Sequence, residues 1–361
     1  MSTAIIPDWV IREDVRHTSA YPVTPATGMV KLDAMENPYT LPEPLRQALA
    51  ARLATVDLNR YPDPTAPQLR QQLRQVMDIP ERHGLLLGNG SDEIIQIAIQ
   101  AVAREGATVM AIEPSFVMYR ISARHARVNF VGVDLKPDFS LDEPATLAAM
   151  REHRPAIVFI AYPNNPSGNL YDAEAIARII RTAPGLVVVD EAYQVFAGAS
   201  FLQRLDEFPN LMVMRTVSKL GLAGIRLGYA AAHPDWIAEF DKVRPPYNVG
   251  VLNQAAGEVM LAHHAVLVEQ AERILAERSR LYRWLAQRPD VISFPSDANF
   301  ILIRVKDAPG IYAAMKQRKV LIRTLHGSHP LLQQCLRLTV GTPQENDAMM
   351  LALEQALADA A

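Results

Sequence analysis

An aspartate, a lysine and an arginine near the middle of the chain are spaced for one ligand. Asp190 closes the apolar run Leu186-Val187-Val188-Val189, which reads as a buried strand. Lys219 follows in Thr216-Val217-Ser218-Lys219, with hydroxyls beside it. Arg226 comes seven residues later, in a stretch that also holds Gly221, Gly224 and Gly228. A carboxylate at the end of a buried strand needs a cation or strong donors. A lysine amine can form a Schiff base with an aldehyde. An arginine drawn out of water seeks an anion, and phosphate fits its fork. Together they are the equipment for holding pyridoxal phosphate (PLP): Asp190 for the pyridinium nitrogen, Lys219 for the aldehyde, Arg226 for the phosphate. Each also has a bland role, Asp190 in a helix cap or salt bridge and Lys219 on the surface.

Two loops add to this set. Gly88-Asn89-Gly90-Ser91-Asp92-Glu93 lies between a strand and a helix. Its glycines permit a tight turn, Ser91 can cap the helix, and the free helical N–H groups form an anion site. Tyr162-Pro163-Asn164-Asn165-Pro166-Ser167-Gly168 is a rigid turn after another strand. It sits at a strand's carboxyl end, where α/β sheets bind ligands, and a buried asparagine amide there can bond a cofactor oxygen. Tyr193, three residues after Asp190, can bring its hydroxyl to the same pocket or serve as a core aromatic. Either loop taken alone is also an ordinary turn.

The elements that position these residues alternate. Strands are expected at 85–87, 108–112, 128–133, 156–161, 186–190 and 211–214, and helices at 92–103, 115–123, 144–152 and 173–182. Strand and helix repeated this way predict an α/β fold with a mostly parallel central sheet and helices on both faces. The apolar runs alternate little, as strands buried on both sides do. Residues 1–40 contain Tyr21-Pro22, Pro25 and Asn37-Pro38 and read as an extended N-terminal arm. Residues 251–287 read as one long helix. After Pro289 the pattern becomes α+β, with strands at 299–305, 320–323 and 335–340 and helices at 311–318 and 343–357. The expected organisation is an arm (1–40), a large PLP-binding domain (41–285) and a smaller C-terminal domain (286–361).

Composition bounds the function classes. The 361 residues are 49% hydrophobic and 21% charged, ordinary for a soluble globular chain and enough for a large core. A formal net charge of -3 with mixed signs offers no nucleic-acid footprint. Cys335 is the only cysteine, so no intramolecular disulfide forms, and a reducing cytoplasm is the expected home. The first residues lack a signal-peptide pattern, and no apolar run nears the ~20 residues of a membrane helix. Neither a metal site, a nucleic-acid partner nor a membrane is expected.

With these residues in place, the chain resembles the fold-type I, PLP-dependent aminotransferases over nearly its whole length. Within them it is most similar to the histidinol-phosphate aminotransferase family. The marks are Asn165-Pro166-Ser167-Gly168, Asp190 with Tyr193, and Ser218-Lys219 with Arg226. Narrower marks are the stretch from Leu32 to Tyr39, Arg60-Tyr61-Pro62, the stretch from Gly88 to Glu93, and the stretch from Cys335 to Thr342. The resemblance implies that Lys219 carries PLP as a Schiff base and Asp190 pairs with the pyridinium nitrogen. It implies Asn165 and Tyr193 on the phenolic oxygen, Phe116 stacked on the ring, and Ser91, Asp92, Ser218 and Arg226 around the phosphate. Tyr61 of one subunit would reach the phosphate held by its neighbour, so a homodimer is implied. Arg337 and Arg323 would grip substrate, Arg323 its phosphate, Asn37 would bind it too, and Tyr21 of the arm would close over it. Ser167 stands where threonine is commoner, Phe116 where tyrosine is frequent, and Asp33 and Met35 where asparagines are frequent.

The activity implied is PLP-dependent transamination of L-histidinol phosphate with 2-oxoglutarate, giving imidazole-acetol phosphate and L-glutamate in histidine biosynthesis. Three rivals use the same parts. An aromatic or other amino-acid aminotransferase shares the class and differs in substrate. A phospho-amino-acid decarboxylase breaks a different bond on the same cofactor. A PLP-sensing regulator needs a DNA-binding domain, for which 40 non-basic residues before the first α/β element are too few.

Overall fold

Seven short apolar runs meet in one sheet, and their alternating side chains explain why. In the computed structural model, which describes residues 9–20 and 22–360, strands β2 (Gly84–Gly88), β3 (Thr108–Glu113), β4 (Asn129–Asp134), β5 (Ile157–Ala161), β6 (Leu186–Asp190), β7 (Leu211–Thr216) and β8 (Gly228–Ala232) lie in the order β2-β8-β7-β6-β5-β3-β4. Leu87, Ile160, Val189 and Val213 pack in one core, and Leu86, Phe159, Val188 and Met214 pack in another. These are successive residues of the same strands, so both faces are buried. The pairs of β3 with β4 and β5, of β5 with β6, and of β6 with β7 are parallel, whereas β8 runs antiparallel between β2 and β7. The carboxyl ends of β2, β3, β5, β6 and β7 therefore share one edge, and β8 starts there, with Gly228 opposite both Gly88 and Thr216.

The C-terminal part has its own core. Strands β9 (Ile292–Ser293), β10 (Phe300–Arg304), β12 (Arg323–Thr324) and β13 (Cys335–Thr339) form an antiparallel sheet in the order β12-β13-β10-β9. The arm joins it: β1 (Val30–Lys31) pairs in parallel with β11 (Val320–Leu321), and Leu32 is buried among the C-terminal residues. An earlier part of the arm, Glu13–Arg16, makes a single helical turn.

Four expectations need correction. No strand was expected at 228–232, because alanine has little strand preference; β8 forms since two flanking strands supply its hydrogen bonds. The helix expected over 251–287 is two, Val251–Ala262 and His264–Leu285. It breaks at His263, whose ring Nδ1 lies 2.9 Å from the Val259 carbonyl and takes up an acceptor at the helix end. The strand expected at 320–323 is two short strands, because the chain leaves the arm's strand at Ile322 and joins β13. Helices Glu43–Leu53, Pro67–Met77 and Pro234–Asp241 had no counterpart in the expectations, and each carries proline in its first turn, where the missing N–H costs nothing.

Candidate active site

The shared sheet edge gathers most of the reactive residues around one cavity of about 120 Å³, lined by Ser91, Asp92, Phe116, Asn165, Asp190, Tyr193, Ser218, Lys219 and Arg226 together with Met35, Ala161, Pro163, Ala192 and Thr216. Each side chain has a structural reason to be there. Asp190 is the last residue of β6 and is only 4% exposed. Its Oδ2 accepts the Tyr119 hydroxyl at 2.6 Å and its Oδ1 the Ala192 N–H at 3.1 Å. Burial pushes this carboxyl up to about 6, against the pull of those two hydrogen bonds.

Lys219 lies in a short wide turn, Ser218–Leu222, just past the end of β7. Its Nζ donates to the Ala34 carbonyl at 3.0 Å and stands 5.8 Å from the centre of the Tyr193 ring. Burial pulls its ammonium down to about 8; the charge of Arg337 adds to this, and Glu36 and Asp92 oppose it. A carboxylate held toward its neutral form and an amine held toward its free form thus face one space. Such displaced acidities are expected where chemistry is done.

The anion end is built from the start of helix Gly90–Val102 and from Arg226. Arg226 donates to Asp92 Oδ2 at 3.2 Å. A Cβ added at Gly90, whose φ is +76°, would sit 2.6 Å from Arg226 Nη2. One at Gly228 would sit 2.5 Å from the Gly90 carbonyl carbon and 2.6 Å from the Ser91 nitrogen. Both positions have to lack a side chain for guanidinium, helix N-terminus and strand to converge. Ser91 is not the cap expected of it. The helix begins at Gly90, two residues earlier than expected, the Asn89 N–H is taken by the Glu93 carboxylate at 2.7 Å, and the Ser91 hydroxyl stays with the cavity. Ser218 accepts from the Thr216 hydroxyl at 2.9 Å.

The rigid turn is pinned from behind. Asn164 donates to the Pro114 carbonyl and to Ser167 Oγ at 3.0 and 2.7 Å, tying it to the loop that carries Phe116. Asn165 Oδ1 accepts from Arg337 Nη1 at 2.6 Å, so its NH₂ is the group left to donate. Arg337, buried on β13, also donates to the Asp33 carbonyl at 2.9 Å and so binds sheet, turn and arm together. Tyr193 donates to Met35 Sδ at 3.2 Å, a weak acceptor that is easily exchanged for a better one.

The remaining expected residues lie around this centre. Arg323 is opposite Arg337 across β12 and β13, which puts the two side chains on one face of that sheet. Asn37 donates to the Leu220 carbonyl and Gln270 Oε1 and accepts from the Tyr39 N–H, so its amide locks the arm onto the lysine turn. Tyr61 is 81% exposed and stacks on Tyr247 with ring centres 4.6 Å apart, away from the cavity lining of its own chain. Tyr21 lies outside the described residues. Sequence reasoning missed Tyr119, Met35 and the Ala34 carbonyl. Nothing in the sequence singles out Tyr119, which follows Phe116 by three residues at the start of helix Met118–His125. A larger cavity of about 530 Å³ shares Ala192 and Thr216 as wall. It is lined by the buried Glu191–Arg215 pair at 2.8 Å, whose charges satisfy each other, and it holds no comparable reactive set.

These residues fit PLP on structural grounds alone. Asp190 has hydroxyl and amide partners and no cation among the described residues, Lys219 has a depressed ammonium, and the cradle beside Arg226 is one that a single methyl group would fill. Among the described residues no group of three or more His, Cys, Asp or Glu is placed to hold a metal ion.

Comparison with known proteins agrees in kind. The family model described as aminotransferase class I and II matches residues 27–353. The chain is 55% identical to histidinol-phosphate aminotransferase 1 of Ralstonia nicotianae over 97% of its length and 95% of that protein's. It is 53% identical to the histidinol-phosphate aminotransferase of Chromobacterium violaceum over 96% and 97%. Among solved structures, histidinol-phosphate aminotransferase from Sinorhizobium meliloti in complex with pyridoxal-5'-phosphate has the same fold, with a TM-score of 0.87, 24% identity and 98% of each chain covered.

Proposed function

The chain belongs to the aminotransferase class I and II family, and on that premise we propose that it is a PLP-dependent enzyme acting on L-histidinol phosphate and 2-oxoglutarate, giving imidazole-acetol phosphate and L-glutamate in L-histidine biosynthesis. The observation that carries the chemistry is Lys219 and Asp190 facing one cavity with their acidities displaced toward each other. Identity of 50–56% with named histidinol-phosphate aminotransferases carries the substrate.

When bound, PLP supplies the electron sink for the pair released as the substrate Cα–H bond breaks. The protein's residues do the rest. Lys219 Nζ, neutral above about pH 8, would take the Cα proton and deliver it to the carbon that was the cofactor's aldehyde. Asp190 sets a negative charge against the ring nitrogen. The Asn165 NH₂ and the Tyr193 hydroxyl are the donors for the phenolic oxygen, and Phe116 forms the wall on which the ring stacks. Arg226, Ser91, Ser218 and the first turn of helix Gly90–Val102 hold the phosphate, with Asp92 orienting Arg226. Arg323 and Arg337 receive the anionic ends of both substrates, which is how one site serves a phosphorylated amino alcohol and a dicarboxylic acid.

The functional unit we propose is a homodimer in which Tyr61 reaches the neighbour's phosphate. Its support is Leu58 and Tyr61, 72% and 81% exposed, large side chains that the described residues of the single chain leave mostly uncovered. No helix among the described residues is long and apolar enough to cross a membrane, and the cytoplasm is the compartment we propose.

The test is a visible-absorbance titration of the cofactor-free protein with PLP, followed by an amino-donor screen with 2-oxoglutarate. Histidinol phosphate is expected to be the best donor; an aromatic amino acid that outpaces it would overturn the substrate assignment. Arg323→Ala is expected to raise KM for histidinol phosphate by roughly 10²-fold, the scale of losing one charged partner, while leaving the PLP absorbance in place. Unchanged kinetics would remove Arg323 from the site.

A further inference from the structure

Asp190 is held by a residue that does not itself line the cavity. Tyr119, on helix Met118–His125, is 1% exposed and donates its hydroxyl to Asp190 Oδ2 at 2.6 Å. Its ring cannot turn away: it lies flat on Phe159 of β5, with centroids 4.6 Å apart and planes 7° apart, and edge-on to Phe116 at 5.7 Å. Burial and the neighbouring Asp190 charge both raise the phenol far above its usual range, so it keeps its proton and acts as a donor. The other carboxylate oxygen has the Ala192 N–H. Removing the hydroxyl leaves Oδ2 buried without a donor, and a buried carboxyl so placed holds its proton. A neutral acid there gives up the charge that stabilises a protonated ring nitrogen.

Resting on the reading that Asp190 faces the cofactor's ring nitrogen, we propose that Tyr119 is a positioning residue that keeps Asp190 ionised and aimed into the cavity. Phe159 and Phe116 hold Tyr119 for this purpose. The paired strands β5 and β6 thereby fix donor and acceptor on one rigid frame, since Phe159 is opposite Val188, two residues before Asp190.

The variant is Tyr119→Phe, which keeps the stacked ring and removes one oxygen. PLP affinity of the cofactor-free protein is measured between pH 5 and 8.5 for wild type and variant, by absorbance and by quenching of tryptophan fluorescence. The ratio of the two affinities cancels every titration they share, including those of PLP and Lys219. Loss of one hydrogen bond to a charged group moves the Asp190 midpoint up by about one pH unit. The variant is therefore expected to bind about tenfold more weakly near pH 5.5 and nearly as well as wild type above pH 8. A ratio that stays constant across the range, whatever its size, makes Tyr119 a packing residue and overturns the proposal. The same comparison on an Asp190→Asn background is expected to give a flat ratio, because nothing at 190 can then ionise. A pH-dependent ratio in that background also overturns it. A wild-type protein that takes up no PLP at any pH sinks the cofactor reading itself, which is a separate result.

Discussion

A lysine whose ammonium is disfavoured by burial has its amine free nearer neutral pH than an ordinary lysine, and Lys219 is such a residue. The rate at which cofactor-free protein captures PLP is expected to rise from pH 6, reach half its limit at about 8 and then level off. A rate still climbing at pH 10 in stopped-flow absorbance would mean that Lys219 titrates as an exposed amine. Asp190 makes the complementary prediction. Its folded acidity constant is raised, to about 6, so the native state holds the proton more tightly than the unfolded chain. The associated stability is present below about pH 4 and is lost as pH rises through about 6, a change of about 3 kcal/mol. Asp190→Asn is therefore expected to gain on wild type in cofactor-free thermal unfolding between pH 4 and pH 7; equal pH trends in the two proteins would sink this. Asp190 and Lys219 were legible because each carries a charge next to an apolar run and has to be explained. Tyr119 was not, since a tyrosine in an amphipathic helix is an ordinary core residue until its hydroxyl is seen on Asp190.

At the level of elements, the phosphate end depends on how closely β8 can approach the helix that starts at Gly90. A methyl group at Gly228 would meet backbone of Gly90 and Ser91, which cannot turn aside as a side chain can. Gly228→Ala is expected to cost about 2 kcal/mol in chemical denaturation and to weaken PLP binding as the helix N-terminus is pushed away. Gly224→Ala is the control, because nothing lies within 4 Å of the added atom there. Equal effects of the two changes would show that the packing between β8 and the helix does not shape the site. The elements themselves were legible to different degrees, for physical reasons. Strands such as Ile157–Ala161 and Leu186–Asp190 announce themselves as apolar runs, since both sheet faces are buried. The alanine strand β8 depends on its neighbours, and no local pattern records them. The alignment of Arg323 with Arg337 is likewise a matter of register between strands distant in sequence.

On the scale of the whole molecule, the cavity draws its walls from two cores. Asp190, Lys219 and Arg226 stand at the edge of the large sheet, while Tyr193 packs with Leu32 and Phe300 in the C-terminal core and Met35 comes from the arm. The end of the arm is bound at both sides, through Asn37 to Gln270 and through Asn299 to the Met35 carbonyl, so the stretch from Met35 to Asn37 walls the site. Tyr61 remains outside this frame, and its exposed ring acquires a role in catalysis only if a second subunit brings its own cofactor to it. The consequence is a complementation experiment. Lys219→Ala lacks the base, with turnover reduced by roughly 10⁴-fold, and Tyr61→Ala is mostly empty at limiting PLP. In a two-fold dimer that pairs one subunit of each kind, one site carries both defects and the other carries neither. Random reassociation of equal amounts makes half the dimers mixed, so activity is expected to recover to about a quarter of wild type at that PLP concentration. Activity that stays at the level of the separate variants after mixed dimers are shown by mass would mean that Tyr61 serves its own subunit or no site at all.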